Sequence, residues 1–403
     1  MSRVWPAKRG RESAGPESVV MTTRYPLDHP GGVESVARAL MDCLGRSEEG
    51  WQVSHVAAYS GRAGAARIPL FGDLVAAGRL AVRIIRKGDV LLVHGAEYAW
   101  GVLAVGWLTR RPVVVVWHGV RACEAIPPAK NRIGKATRQF FLRGESLLQR
   151  AALLADATVV VSPVVARELR SRYGIRRELK VIPNGVAQRA PGRTCHPHDD
   201  VRSPASSNGL PLRVMWVGTS VYNKGLDLAL EACKIARSRG QDISLTVVGI
   251  SIESAGAEHA SGGSWLTWRG HVLPGEMDPL YSRHEILLFP SRYEACPMTV
   301  LEALAAGLPV IGSAAVQWLI EGAGEAVAAE NASSYAEALR ALAEPERRRQ
   351  LAIAAWERAQ AFSWESCAAG YMEVLDAVER QRRRQYRHES QQKAFPAQAR
   401  SDE

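Results

Sequence analysis

The segment FPSRYEACPMTVLEALAAGLP, residues 289–309, decides how this chain folds. A short apolar run ends in a polar loop, and Pro297 then stands where a helix begins, since proline lacks the N–H that a first helical turn leaves unpaired. Gly307 and Pro309 mark the end of that helix. The segment therefore predicts a buried strand, a loop and a helix amino terminus, an arrangement that binds anions through free backbone amides.

The same alternation of short β-branched runs and helical stretches extends through most of the chain. It predicts an α/β fold with two doubly wound domains in series, each a parallel sheet covered by helices on both faces. Ligands of such sheets lie in crevices at the carboxyl ends of the strands, so we expect a ligand between the two facing domains. The predicted strands are 19–21, 53–57, 90–93, 113–117, 158–161 and 180–183 in the first domain, and 213–217, 244–248, 266–268, 286–289 and 309–312 in the second.

Changes in composition set the predicted boundaries. Residues 188–211 are rich in Pro, Gly, Ser, Asn and Asp and carry no apolar period, which is typical of a linker. A last helix at 364–380 is expected to pack back on the first domain. The full prediction is a polar tail at 1–17, a first domain at 18–187, the linker, a second domain at 212–363, the returning helix, and a basic and mixed tail at 381–403.

Composition supports two folded domains in a reducing compartment. The chain has 403 residues, of which 47% are hydrophobic and 23% charged, enough for two ordinary cores. Six cysteines without a C-x-x-C pair indicate reduced thiols of a cytoplasmic protein. We expect neither export nor a membrane span, because no signal-like or long apolar run is present. The net charge of +10 favours anionic partners.

Two carboxylates flank the predicted anion site. Glu294 lies in the loop and Glu302 in the helix, eight residues apart, while the amides of Met298 and Thr299 face the anion. Upstream, Lys224 closes a glycine loop that contains Gly218 and Thr219. The two carboxylates can accept hydrogen bonds from hydroxyls on either side of a bound phosphate. A sugar hydroxyl and a ribose diol are the natural partners.

These residues resemble the donor segment of retaining GT-B glycosyltransferases of family 4. The resemblance implies that Glu302 binds the nucleotide ribose, that Glu294 binds the donor sugar hydroxyls, and that Lys224 stabilises charge on the departing β-phosphate. The implied reaction moves a hexose or derivative from a nucleoside diphosphate sugar, with retention of configuration. The implied acceptor is a saccharide or a lipid-linked acceptor in cell-surface polysaccharide or glycolipid synthesis.

The first domain carries further elements that resemble the family. Gly31 and Gly32 match its amino-terminal G-G loop, whose amides approach the donor phosphate or acceptor. His118 follows the strand at 113–117, where the family often has a histidine near the sugar, and His94 ends the preceding strand in the same way. The P-N-G-V turn at Asn184 is interpreted as structural.

One departure from the family pattern keeps other functions open. Thr219 stands where the family has an arginine, so a glycan- or nucleotide-binding protein without catalysis remains an alternative, as does a sugar epimerase on the same architecture. No dinucleotide fingerprint, P-loop or D-x-D motif is present. The sequence therefore predicts no cofactor, no metal and no nucleic-acid partner, and the cluster at 195–200 is interpreted as a polar loop. The oligomeric state is left open.

A basic segment suggests a membrane surface. Residues 130–143 hold five cations and no acid among apolar side chains, which suits a helix on an anionic bilayer at the inner face of the membrane. The tail adds Arg382, Arg383, Arg384 and Arg387. A helix whose phenylalanines face the core fits the same residues, so both interpretations stay open.

Overall fold

The computed structural model describes residues 17–29, 31–46, 51–59, 71–120, 147, 149–189, 211–256 and 263–394. The chain forms two units, each built on one parallel sheet. Unit 1 comprises Met1–Ala122, Ala129–Pro183 and Cys367–Glu403, and unit 2 comprises Cys123–Pro128 and Asn184–Ser366. The α/β prediction with two doubly wound sheets is confirmed.

Unit 1 contains a parallel sheet in the order β2-β1-β3-β4-β5-β6 among the described residues. Its central strands are mostly apolar, because helices cover both faces of the sheet. β3 and β4, for example, are buried along their whole lengths. The strands are β1 (Ser18–Thr23), β2 (Gln52–Ala57), β3 (Val90–His94), β4 (Val113–Trp117), β5 (Ala157–Val160) and β6 (Lys180–Val181).

The helices of unit 1 follow their strands as predicted. They are α1 (Gly32–Gly45), α2 (Phe71–Ile84), α3 (Ala99–Thr109) and α4 (Pro163–Tyr173). α4 shows why the sequence marks its ends: the Ser162 hydroxyl accepts from the Val165 amide at 3.2 Å, and Gly174 ends the helix in the left-handed region. The sequence also predicts a helix at 132–154, most of which lies outside the described residues, as does the whole basic segment at 130–143.

Unit 2 repeats this plan with the strand order β12-β11-β10-β7-β8-β9. Its strands are β7 (Leu212–Val217), β8 (Ile243–Val248), β9 (Leu266–Gly270), β10 (Ile286–Phe289), β11 (Val310–Ser313) and β12 (Gly324–Val327). Its helices are α5 (Leu226–Ser238), α6 (Ile252–Ala255), α7 (Pro274–Arg283), α8 (Met298–Ala305), α9 (Gln317–Ile320), α10 (Ala332–Ala341) and α11 (Pro345–Ala359).

Two features of unit 2 differ from the sequence prediction. β12 was not predicted, because it is a short strand, Gly-Glu-Ala-Val, at the edge of the sheet, where only Val327 is buried. Pro297 is the residue just before α8 rather than its first residue, so the helix begins at Met298. Most of the predicted linker, with its Cys195 and His196 cluster, lies outside the described residues.

The last helix, α12 (Trp364–Ala394), is longer than predicted. The sequence placed its end at 380 and a solvated tail after it, but the helix continues to Ala394. Arg382 and Arg383 both bond Glu379 one turn earlier, and such contacts stabilise a helical segment without apolar packing.

From Cys367 onward α12 belongs to unit 1. Asp376 accepts from the Trp51 indole N–H at 3.1 Å, and Glu373 pairs with Lys180 at 2.8 Å. Tyr371 is buried. Within the described residues, no helix combines the length and the apolar character needed to cross a membrane.

Candidate functional site

The two sequence motifs of unit 2 leave neighbouring strands at the same edge of the sheet. β7 and β10 are paired in parallel, with Ile286 opposite Val214. The chain turns to β8 on one side of β7 and to β10 on the other, so this is where the direction of the strand order reverses. Parallel sheets bind ligands at that point, outside the strand carboxyl ends. The loops 218–225 and 290–297 both begin there.

Backbone contacts lock these two loops together. Gly225 adopts φ +68°, and a side chain there would collide with the carbonyl oxygen of Pro290. The Arg292 amide donates to the Asn223 carbonyl at 2.9 Å. Glycine is required at 225 because both its conformation and the close approach of Pro290 exclude a Cβ. The loop geometry is therefore set before any ligand binds.

An ion pair stands between the loops. Lys224 Nζ lies 2.6 Å from Glu294 Oε1, and the Ser291 hydroxyl donates to the same oxygen at 2.8 Å. The Lys224 side chain is 26% exposed and that of Glu294 8%. Both donors use Oε1, which leaves Oε2 of Glu294 to accept from a substrate hydroxyl. The pair thus offers a cation for a phosphate and an acceptor for a sugar.

Glu302 is held by a residue that the sequence did not single out. Tyr281, fully buried on α7, donates its hydroxyl to Glu302 Oε2 at 2.8 Å. Burial raises the pKa of Glu302, and the Tyr281 hydrogen bond opposes that rise. Burial also raises the pKa of Tyr281 well above its ordinary value, so the phenol remains a donor. Tyr281 thus occupies one oxygen of Glu302, Oε2, among the described residues.

Arg292 braces the loop and does not replace the missing family arginine. Its guanidinium bonds both Asp227 oxygens, at 2.9 and 2.7 Å, and also contacts Glu330 and the Tyr222 carbonyl. These hydrogen bonds, above all the one to Asp227, raise the pKa of Arg292. Thr219 itself is exposed. The charge that the family places after the glycine is therefore not supplied by Arg292.

The amino terminus of α8 is presented as predicted. Met298 and Thr299 begin the helix, and helix geometry leaves their amides without an acceptor in the helix itself. The preceding loop is anchored by Asn184, whose side-chain amide donates to the Cys296 carbonyl at 2.9 Å. The sequence interpreted Asn184 as part of a structural turn, and the structure adds that it holds the loop before α8.

Unit 1 brings its two strand-end histidines together. β3 and β4 are neighbours, and His94 Nδ1 lies 3.0 Å from His118 Nε2. Burial lowers the pKa of His118 to about 4 and that of His94 well below its ordinary value. Both rings are therefore neutral, and one donates to the other. His94 Nε2 is buried and has no hydrogen-bond partner among the described residues, and the ring stacks on Tyr371.

The glycine pair lies at the start of α1, beyond the end of β1. Gly31 is the residue before the helix and has an extended backbone, and Gly32 has open space where a side chain would be. Local packing therefore gives no reason for glycine at 32. Burial raises the pKa of Glu34 in the first turn of α1.

The structure thus forms one cluster within each unit. Lys224, Glu294 and the start of α8 are assembled in unit 2, and His94 and His118 in unit 1. The sequence did not single out Ser291, Tyr281 or the Arg292–Asp227 pair. Tyr281 and Glu302, like Asp227 and Arg292, are distant in the chain and meet only in the folded unit. Among the described residues, no group of three His, Cys, Asp or Glu side chains is placed to hold a metal ion.

Two family models match the chain, one to each half. The model "Glycosyltransferase Family 4" matches residues 30–188, and "Glycosyl transferases group 1" matches residues 211–345. Together these segments make up most of the chain and contain both clusters. The protein is a GT-B glycosyltransferase.

Characterised relatives share about a quarter of their residues with it. The glycogen synthase of Mycobacterium tuberculosis is 27% identical over 77% of this chain and 78% of its own length. The D-inositol 3-phosphate glycosyltransferase of Rhodococcus opacus is 28% identical over 70% of this chain and 66% of its own. A 2-deoxystreptamine glucosyltransferase of Streptomyces kanamyceticus is 27% identical over 59% and 63%.

Solved structures share the fold. The sucrose-phosphate synthase of Thermosynechococcus elongatus aligns with a TM-score of 0.68 at 21% identity, over 90% of this chain and 99% of that one. The HepE protein of Anabaena, solved with UDP-glucose, aligns with a TM-score of 0.66 at 15% identity, over 90% and 100%.

Proposed function

We propose that this glycosyltransferase moves a hexose or derivative from a nucleoside diphosphate sugar to a saccharide or lipid-linked acceptor, with retention of configuration. The observation that carries the proposal is the Lys224–Glu294 pair between the two loops that leave β7 and β10. It offers a cation and a buried carboxylate at the position where parallel sheets bind nucleotides. The UDP-glucose bound to HepE supports a donor of this class.

Each donor group has a partner in unit 2. Glu302 Oε1 accepts from the ribose, the amides of Met298 and Thr299 with Gly218 and its neighbour Thr219 meet the diphosphate, and Glu294 Oε2 accepts from the sugar. Lys224 turns from Glu294 toward the β-phosphate as the donor binds. A cation on that oxygen stabilises the charge that grows there as the sugar leaves, where such stabilisation is most effective.

The configuration at C1 is retained if the acceptor attacks and the diphosphate departs on the same face of the sugar. The bond between C1 and the β-phosphate oxygen breaks, the acceptor hydroxyl forms the new bond to C1, and its proton passes to the departing phosphate. No protein nucleophile and no metal are needed for this balance. In unit 1, we assign neutral His118 a hydrogen bond to the sugar or acceptor, and Gly31 and Gly32 a close backbone approach to substrate.

We place the reaction in cell-surface polysaccharide or glycolipid synthesis at the cytoplasmic side, in a protein that attaches to the membrane surface. Thr219 favours a second candidate, a GT-B protein that binds nucleotides or glycans without transfer, because the charge of the family arginine is absent. An epimerase of the same architecture would be distinguished from both the transferase and the binding protein by the products that it forms.

A donor screen tests the proposal. Purified protein is melted with a panel of nucleoside diphosphate sugars, and any stabilising donor is then incubated with and without acceptors and with EDTA. We expect a rise in the melting temperature with one donor, and turnover that EDTA leaves unchanged. NMR of the product reports the anomeric configuration. An inverted product excludes retention, stabilisation without turnover supports the binding protein, and no stabilisation by any donor overturns the proposal.

A further inference from the structure

The surface at the carboxyl ends of α2 and α3 exposes a group of large apolar side chains. Val82 is 76% exposed, Ile85 50%, Trp107 62% and Leu108 65%. Single exposed apolar residues are ordinary, but a group of them on a folded surface marks an interaction site. We call these four residues, with the nearby cations Arg86 and Lys87, the α2–α3 surface.

The ends of the two helices are fastened side by side. The buried Arg111 guanidinium donates to the carbonyls of Ile84 at 2.9 Å, Ile85 at 3.2 Å and Gly88 at 3.1 Å, and also bonds that of Lys87. Its own amide donates to Gly106 in α3 at 3.0 Å. One side chain after α3 therefore satisfies the carbonyls at the end of α2, which brings the segment at 84–88 close to the end of α3.

The helices also approach closely along their length. A side chain at Gly101 would collide with the backbone of Ala77, so α3 lies against α2 already at its first turn. This contact joins the first turn of α3 to the middle of α2, and the Arg111 bridge joins their carboxyl ends.

Two exposed cations, Arg86 and Lys87, accompany the apolar side chains of the α2–α3 surface. The other basic residues nearby are engaged elsewhere: Arg111 is buried, Arg79 lies over the Tyr59 ring and Arg83 donates to the Ala57 carbonyl. Cations next to a tryptophan and aliphatic side chains match the interface of a bilayer, where anionic headgroups lie above hydrocarbon.

We propose that the α2–α3 surface docks unit 1 on an anionic lipid bilayer, with Trp107 and Leu108 in the interfacial layer and Arg86 and Lys87 on the headgroups. A second copy of the chain fits less well, because a two-fold contact would set these cations against one another. The surface is separate from residues 130–143, and the inference holds whether or not the proposed donor is correct.

Vesicle flotation of the full chain tests it, with phosphatidylcholine vesicles alone or containing phosphatidylglycerol. We expect flotation only with phosphatidylglycerol. Trp107→Ser/Leu108→Ser and Arg86→Gln/Lys87→Gln should each weaken binding about 10-fold or more, since several weak contacts add. The controls are Leu273→Ser, an exposed leucine of unit 2, and Arg167→Gln/Arg170→Gln on α4, which removes the same charge. Thermal melts verify folding.

Three results would overturn the proposal. The first is no flotation of the unchanged protein with either vesicle. The second is flotation that both α2–α3 double variants retain while Lys135→Gln/Arg138→Gln/Arg143→Gln abolishes it, which assigns binding to residues 130–143 alone. The third is a dimer in size-exclusion chromatography that Trp107→Ser/Leu108→Ser converts to monomer without any lipid binding.

Discussion

The cluster in unit 2 and the histidine pair in unit 1 both lie at the carboxyl ends of parallel strands, yet they are built differently. Around Lys224 and Glu294 the side chains are charged and cross-linked through Ser291, and the loops are joined backbone to backbone. His94 and His118 are neutral and bond each other, and His94 Nε2 is buried with no hydrogen-bond partner in the part of the chain that the structure describes. The first arrangement suits charge stabilisation, and the second suits hydrogen bonding to an uncharged group.

The largest expected effect is on the rate of donor turnover, which variants of the unit 2 cluster should lower more than variants of the histidine pair in unit 1. Lys224→Ala and Glu294→Gln should each lower donor turnover about 100-fold or more, because a preorganised charge at the leaving group is lost. His118→Asn removes only a neutral hydrogen bond and should cost less. Steady-state kinetics with the donor found by screening provide the measurement.

Lys234→Ala is the matched control, since Lys234 is an exposed lysine on α5 paired with Glu231 at 3.9 Å. It should leave turnover unchanged. If His118→Asn proves more damaging than Lys224→Ala, the assignment of charge stabilisation to unit 2 is wrong.

A smaller effect is expected from Tyr281→Phe, which removes one hydroxyl and keeps the ring. Nucleotide binding should weaken about 10-fold, the usual range for a hydrogen bond to a charged group. Loss of this hydrogen bond should raise the pKa of Glu302 further, so affinity should begin to fall at a higher pH than in the unchanged protein. Asp278 and Arg189 are the other charges near Glu302, raising and lowering that pKa respectively.

Calorimetric titration of the nucleoside diphosphate across pH measures both quantities. Tyr335→Phe, in the core of unit 2 on α10, is the control for loss of a buried phenol. Equal pH profiles for the unchanged protein and Tyr281→Phe would show that Tyr281 only fills space.

The smallest effect concerns stability and unit 1. The pKa of His118 falls from 6.5 to about 4 on folding because the ring is buried. The unfolded chain takes up that proton first, so the stabilising contribution is complete above the ordinary pKa and is lost as the pH falls toward 4. One such histidine should cost about 1 to 2 kcal/mol between pH 7 and pH 5.

Urea unfolding at both pH values, for the unchanged protein, His118→Asn and the exposed His271→Asn, provides the measurement. His118→Asn should reduce the pH dependence, while His271→Asn should not. His94, His55 and His284 also have pKa values lowered by burial and contribute to the remaining dependence, together with Glu34 and Glu302, whose pKa values burial raises. An unchanged pH dependence in His118→Asn would show that this imidazole is not held neutral.

Local sequence determined the elements of this protein. Continuous apolar runs such as 113–117, end signals such as Ser162 and Gly174, and the loop between β10 and α8 depend on neighbouring residues, so hydrophobic period and capping chemistry are enough to predict them. The spacing of Glu294 and Glu302, eight residues apart, could also be identified from the sequence, because both residues lie in one local segment. The edge strand β12 and the last turns of α12 were not, because they carry little apolar signal.

Tertiary structure alone decided which side chains meet. Glu294 pairs with Lys224 across 70 residues and Glu302 with Tyr281 across 21, while His94 reaches His118 across 24. No local pattern specifies such pairs. The Lys224–Glu294 and His94–His118 pairs form where the sheet order places two strands side by side, and Tyr281 meets Glu302 where the helices before and after β10 pack together. The sequence named the residues that we propose bind a nucleotide sugar, and the tertiary structure decided which of their oxygen and nitrogen atoms are bonded within the protein.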